Sequence, residues 1–443
     1  MMNKKIIAFR DVDKTRLLRK SYGDEQALDK AVSDILRDVR TRGDEAVAAY
    51  TERFDGVRFD GSCRVSNREF EEALRLVDPI VFRHLEQARD NVRDFHLKQK
   101  RVSWLEPRAD GCVLGQLFIP LRRVGVYVPG GTAPLASSVV MNAVPALVAG
   151  VEEIVMATPP RSDGSLAPEV LAAASLCGVT EIYKMGGAQG IAALAYGTAS
   201  VAAVDKITGP GNVFVTLAKK QVYGTVDIDM LAGPSEIMIL ADSGGVPREL
   251  AADLLSQAEH DVLASAILVS PDEGLLRETV AEVERQLPLL PRREIADRAW
   301  TEYGATILVE DLAQGMELVN AVAPEHFELV VEDPYLWLGK VRNAGAVFVG
   351  RCSPEPVGDY FAGPNHILPT GGSARFSSVL DVDAFMKKTS VVHYSAEALR
   401  RDAGAIVALA RKEGLEGHAR AVEVRTMTMD NGQWTMTMDN GQG

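Results

Sequence analysis

The sequence predicts an α/β protein built on parallel sheet, and three observations carry that expectation. From Arg122 onward, short β-branched runs alternate with helical stretches. At 443 residues the chain is too long for one compact core, and a hydrophobic content of 47% is enough for more than one. Charged residues make up 25% of the chain, an ordinary globular balance.

The alternation can be followed run by run. VGVYV (124–128) leads into an apolar stretch at 136–150; EEIVMAT (152–158) leads into a helical pattern at 166–177 and then EIYKM (181–185). It resumes with SEIMIL (235–240), a helix over 247–260, AILVS (266–270) and a helix over 273–286. ATILV (305–309), a helix over 311–322, FELVV (327–331) and AVFVG (346–350) complete it. Strand and helix in turn require crossover connections, hence a parallel sheet.

The first hundred residues read as helical. Leu28, Val32, Ile35, Leu36 and Val39 fall at helical spacing over 24–42, stopping before Gly43. Ser66-Asn67-Arg68-Glu69 is a capping-box pattern opening a helix to Val77, and Pro79 opens another to about Lys100. His84 and His96 on that second helix have charged neighbours and are expected to face solvent.

Arg351 to Ser378 has four prolines, four glycines and neither period, which reads as an ordered functional loop. Beyond it, VVHYS containing His393 suggests a strand, and a helix over 396–412 ends on Arg411, Lys412 and Gly414. Residues 381–425 are too few to build a core alone and must pack on something else. TMTMDNGQ recurs at 426–433 and 435–442, two copies only, which suggests a disordered tail outside the fold.

Bulk chemistry excludes several classes. A net charge of −13 with short, interrupted basic clusters (Lys219-Lys220, Arg292-Arg293) is wrong for a nucleic-acid binder. The uncharged stretch 124–151 is interrupted by Pro129, Gly130, Gly131, Pro134 and Pro145, so no membrane span is expected there, and Lys4-Lys5 precede too few apolar residues for a signal peptide. Cys63, Cys112, Cys177 and Cys352 are scattered with no CxxC pair, which suits a reducing cytoplasm.

Candidate site residues sit in glycine-, proline- or acid-rich settings. Gly186-Gly187-Ala188-Gln189-Gly190 and Gly209-Pro210-Gly211-Asn212 each precede a helix and could offer N–H groups to a phosphate, though neither is a G-x-G-x-x-G and tight turns alone would use such glycines. Gln257 and His260 are spaced i, i+3 and can converge on one cation, although such a pair is more often a cap or surface feature. Glu325-His326 joins two bases tunable to neutral pH; on a regular strand they would point to opposite faces. Asp359 lies in VGDYFAGPNH with Tyr360 and His366, as ligand or turn former. Glu413 and His418, five apart, would face away from each other on a helix, so only a non-helical loop could bring them together.

Taken together the blocks VGVYVPGGTAPLASSVVMNAVPA, YKMGGAQGIAALAYGT, KITGPGNVFVTLAKK, DMLAGPSEIMILAD, DLLSQAEHD, APEHFELV, PVGDYFAGPNHILPTGGSARFSS and EGLEGHARAVEVR resemble the histidinol dehydrogenase family, from about residue 20 to Arg425. The resemblance implies two incomplete Rossmann-like parallel-sheet domains with helical N- and C-terminal extensions. Their bounds would be 1–21 for the N-terminal extension, 22–126 plus 235–380 for the first α/β domain, and 127–234 for a nucleotide-binding α/β domain. A C-terminal helical dimer segment, 381–425, and the tail, 426–443, would follow.

It further implies zinc, one per subunit, on Gln257, His260, Asp359 and His418, and catalysis by Glu325 and His326. Substrate contacts would be Ser235, Gln257, His260, His326, Asp359, His366, Glu413 and His418, and NAD contacts Tyr127, Gln189 and Asn212. The implied reaction carries L-histidinol through histidinal to L-histidine by two hydride transfers to NAD. The implied assembly is a cytoplasmic homodimer whose C-terminal segment completes the partner's site. A related zinc/NAD dehydrogenase acting on another polar alcohol, or a binder without turnover, would share much of this pattern.

Overall fold

The computed structural model describes residues 6–17, 25–59, 62–130, 135–430 and 433–436. The chain divides into two compact units, Met1–Lys100 with Leu121–Phe385, and Arg101–Pro120 with Met386–Gly443.

The first unit holds two parallel sheets. In the five-stranded sheet the strands Arg123–Tyr127, Glu153–Thr158, Glu181–Lys184, Lys206–Thr208 and Asp227–Ile228 lie in the spatial order third, second, first, fourth, fifth. That order reverses between Arg123–Tyr127 and Lys206–Thr208, and such a reversal opens a crevice beyond the strands' carboxyl ends. Arg123–Tyr127 is buried along its length, as a central parallel strand covered on both faces must be. One covering layer comes from Glu25–Arg42 and Asp44–Asp55, whose Val32, Ile35, Val39 and Val47 join Ile191, Leu194 and Val215 in one core.

The six-stranded sheet repeats the pattern. Glu236–Ala241, Ser265–Ser270, Ala305–Leu308, His326–Val330 and Ala346–Val349 take the same third, second, first, fourth, fifth order, and Ile6–Ala8 adds one parallel edge strand. That edge strand was not legible in a segment read as helical. Alternation along Glu236–Ala241 sorts its side chains: Ile237, Ile239 and Ala241 enter the core under Pro247–Ala258 and Glu273–Gln286, while Met238 and Leu240 enter the core on the other face with Met316 and Val319.

The local signals mostly carry through. Ser66 caps Asn67–Leu76 by accepting the Glu69 N–H, and Pro79 opens Pro79–Leu97 behind an Asp78 cap. His96 corrects its expectation: it is fully buried, with Nδ1 donating to the Val92 carbonyl at 2.7 Å, while His84 is exposed. The charged neighbours in sequence lie on the other side of the helix. The long loop is not devoid of regular structure either, since it contains a short helix, Glu355–Tyr360.

In the second unit Val113–Pro120 is the middle strand of an antiparallel sheet between Trp104–Pro107 and Met386–His393. The C-terminal segment therefore packs on residues 101–120, which the sequence did not indicate. Ser395 caps Ala396–Lys412 by accepting the Ala398 N–H, and its hydroxyl donates to the Asp110 carbonyl. Val407, Ala410 and Ala419 bury the contact with Glu416–Thr426. Met427–Asp430 and Gln433–Met436, read as part of a tail, pair as an antiparallel hairpin.

Candidate active site

One helix face begins the site. Pro247–Ala258 is the crossover following Glu236–Ala241, so its carboxyl end returns to the level where the strands start. Asp253, Ser256, Gln257 and His260 recur at i, i+3, i+4 and i+7, a polar stripe along one face of the helix's second half and the turn after it. Gln257 is fully buried, yet neither its Oε1 nor its Nε2 has a hydrogen-bond partner. An orphaned buried amide costs roughly 1–3 kcal/mol for each unmet group, so this side chain is set for something other than its own protein.

Beside it, His260, Glu355 and Asp359 bring one donor atom each within 4.8 Å of one another. The His260 side chain is 46% exposed and that of Glu355 1%. Glu355 was absent from the sequence reading. Its Oε2 accepts the Ser256 hydroxyl at 3.0 Å, its Oε1 has no partner, and its backbone N–H donates to Glu328 Oε1 at 2.9 Å. Burial, then the Asp359 charge, pushes its pKa up to about 8. Behind it, burial raises Glu328 well above the carboxylate range and Asp253 to about 6. The turn bearing these residues is pressed against Phe348, since a Cβ on Gly358 would meet Phe348 Cε1 at 2.6 Å.

Glu325 and His326 stand where the His326–Val330 strand begins. Both hold the backbone of Glu236 on the neighbouring strand: Glu325 Oε2 accepts its N–H at 2.8 Å, and His326 Nδ1 meets its carbonyl at 3.0 Å. The irregular strand start resolves the expected opposition of faces, for Glu325 Oε2 and His326 Nδ1 are 3.5 Å apart. A carbonyl only accepts, so Nδ1 carries the hydrogen and the neutral ring presents a bare Nε2. That Nε2 is buried without a partner, 3.8 Å from Asp359 Oδ1 and 3.9 Å from Glu355 Oε1. Burial lowers the His326 pKa to about 4 and raises that of Glu325 well above the usual value.

Two further residues are set by backbone logic. Pro145 lies inside Ala136–Ala149 and has no N–H for the Met141 carbonyl; Asn365 Nδ2 takes that carbonyl instead, at 2.6 Å. This anchors the segment where His366 Nδ1 donates to the Asp359 carbonyl at 3.1 Å. Ser235, half-buried just before Glu236, accepts the Ser265 N–H through its carbonyl. The whole grouping lies in the first unit and at the amino ends of its strands. Glu413 and His418 belong to the second unit, where both are exposed. Gly414, with φ at +77°, breaks the helix between them, so Glu413 lies in the turn that ends Ala396–Lys412 and His418 on the next helix, Glu416–Thr426.

The other sheet reverses its strand order beside Arg123–Tyr127, the place where such sheets open a crevice. Tyr127 ends the central strand and its hydroxyl accepts the Gly187 N–H at 3.0 Å. Gln189, in the first turn of Gly187–Tyr196, is buried with an unpartnered Oε1. Asn212 caps Val213–Val222, its Oδ1 accepting the Phe214 and Val215 N–H groups. Gly209 leaves no room for a side chain, since a Cβ there would lie 2.0 Å from the Tyr127 carbonyl oxygen.

Comparison with known proteins finds relatives over nearly the whole chain. The family model described as histidinol dehydrogenase matches residues 18–426. A histidinol dehydrogenase of Heliobacterium mobile is 56% identical over 422 residues, covering 95% of this chain and 99% of that one. One of Bacillus subtilis is 54% identical over 396 residues, covering 89% and 92%. The crystal structure of histidinol dehydrogenase from Elizabethkingia anophelis superposes with a TM-score of 0.88 at 36% identity, covering 93% of this chain and 95% of that one. The chain belongs to the histidinol dehydrogenase family.

Proposed function

We propose that this chain carries L-histidinol through histidinal to L-histidine with one zinc ion per subunit and NAD as hydride acceptor. Family membership makes the reaction the oxidation of histidinol in histidine biosynthesis. In this reading the five-stranded sheet, with Glu25–Arg42 and Asp44–Asp55 packed on it, forms the nucleotide-binding half, and the six-stranded sheet the half bearing the metal and the bases.

The observation that carries it is the orphaned, buried Gln257 amide, three residues before His260, whose ring groups with Asp359. Nitrogen and oxygen donors, one of them buried and unmatched, fit a borderline cation such as zinc. Gln257, His260 and Asp359 would hold it, with His418 supplied by a second copy of the chain. When bound, zinc fixes the substrate's imidazole and amine and so sets the alcohol carbon in place. The unpartnered Gln189 Oε1 in the first turn of its helix likewise fits NAD, contacted by Tyr127, Gln189 and Asn212, and the nicotinamide supplies the hydride sink.

His326 Nε2, bare and buried, takes the substrate hydroxyl proton, with Asp359 and Glu355 facing the imidazolium that results. Glu325, whose carboxyl burial makes more basic, takes a proton from the water that adds to the aldehyde in the second oxidation. Ser235 and His366 line the substrate end, and Glu413 with His418 close it from the partner, which supplies a reason for their exposure on their own unit. The test is NADH formation from a panel of alcohols with zinc present. Turnover of histidinol supports the reading; turnover of another polar alcohol with none of histidinol overturns it.

A further inference from the structure

Lys219 and Asp229 are two charges buried almost completely, their side chains 2% and 1% exposed, outside both the metal site and the two bases. Both side chains reach Gly209. Lys219 Nζ donates to the Gly209 carbonyl at 2.9 Å and pairs with Asp229 Oδ1, while Asp229 Oδ2 accepts the Gly209 N–H at 2.8 Å. Asp229 Oδ1 also accepts the Met230 N–H at 2.6 Å.

A buried ion pair is a poor way to gain stability, because removing two ions from water offsets most of their attraction and apolar residues of similar size do as well. What apolar residues cannot do is hold the N–H and the C=O of one residue at once. Gly209 needs holding: its φ is +112°, and it is pressed on the Tyr127 carbonyl with no space for a Cβ. Three residues on, Asn212 caps the helix bearing Lys219 with its side-chain oxygen, which leaves its amide nitrogen to donate to a ligand.

We propose that the Lys219–Asp229 pair positions the nucleotide loop: it ties the last strand, the Gly209–Asn212 turn and the following helix into one preorganised cradle for NAD. The proposal rests on the NAD reading above. Neither residue touches the cofactor; each acts through Gly209, and preorganisation is what affinity loses when the clamp is opened.

The test is NAD affinity by fluorescence titration of the zinc-loaded protein. Lys219→Met should weaken NAD binding about tenfold or more, leave kcat at saturating NAD within about threefold, and leave zinc content unchanged. Where Lys219→Met fails to fold, the double variant Lys219→Met/Asp229→Asn, which leaves no bare charge, carries the measurement. A purely structural pair would lower the melting temperature and leave NAD affinity unmoved, so folded variants binding NAD within twofold of wild type overturn the proposal. Asn212→Ala run in parallel separates the two readings. If it weakens NAD binding and the clamp variants do not, the clamp alone falls; if it too has no effect, the crevice is not the NAD site and both fall.

Discussion

Glu355→Gln gives the sharpest expectation for the metal centre. The substitution keeps the shape and an oxygen for the Ser256 hydroxyl but cannot carry charge. Donor atoms of His260, Glu355 and Asp359 lie within 4.8 Å of one another, so a cation midway between His260 and Asp359 lies within about 5 Å of the Glu355 carboxyl. At an effective dielectric of about 20, one unit charge at that distance is worth about 3–4 kcal/mol. With its pKa at about 8, ionising the carboxyl at pH 7 takes back about 1.4 kcal/mol. The remainder, about 2 kcal/mol, corresponds to roughly thirtyfold in zinc affinity, inside the 10–100-fold range for groups that support ligands. Zinc competition against a chromophoric chelator measures it. Zinc affinity within twofold of wild type would refute the reasoning, and metal-free stability should stay level or rise because a buried acid has been removed.

The remaining expectations touch other parts of the molecule. His326→Asn retains a donor for the Glu236 carbonyl but loses the bare Nε2, so turnover should fall about 10²–10⁴-fold with zinc content near wild type, whereas His260→Asn should lose zinc; equal zinc in both contradicts that division. Gly209→Ala puts a Cβ 2.0 Å from the Tyr127 oxygen at a φ of +112°, which should cost at least ~2 kcal/mol in urea unfolding and weaken NAD binding; unchanged stability contradicts it. His96 is held neutral by burial, its pKa lowered below 6.5, so the unfolded chain binds that proton more tightly. Stability is complete above pH 6.5 and falls as pH drops through that value toward the folded pKa. Urea midpoints should decline from pH 7.5 to 5 in wild type and less steeply in His96→Gln, and matching slopes rule His96 out as the cause.

Much of the fold was legible because its signals are local. Glu273–Gln286 and Ala396–Lys412 match their patterns residue for residue, since caps and apolar spacing decide them. The Ile6–Ala8 edge strand and the antiparallel sheet of Val113–Pro120 with Met386–His393 were not, because strand pairing across hundreds of residues leaves no periodicity in either partner. His96 was misread for a related reason: sequence neighbours on a helix face every direction, and only the i±3 and i±4 positions share a side.

For the site, Gln257-x-x-His260 and the Glu325-His326 pair could be singled out by residue type. Glu355 could not, since an acid between two prolines reads as a turn. Two clues were available in retrospect: the lone Glu328 within the apolar run FELVV, and the polar stripe Asp253, Ser256, Gln257, His260 at helical spacing. Each marks a polar group that must be matched indoors. The geometry that leaves His326 with a bare Nε2, its Nδ1 on a strand carbonyl ninety residues away, depends on the fold alone.

Zinc content and histidinol-dependent NADH formation, measured on one sample before chelation, after chelation and after zinc is restored, probe the metal-centred reaction most directly. One zinc per chain is expected, with activity lost when the ion is stripped and regained when it returns. Undiminished oxidation of histidinol by protein freed of metal would contradict the role given to Gln257, His260 and Asp359.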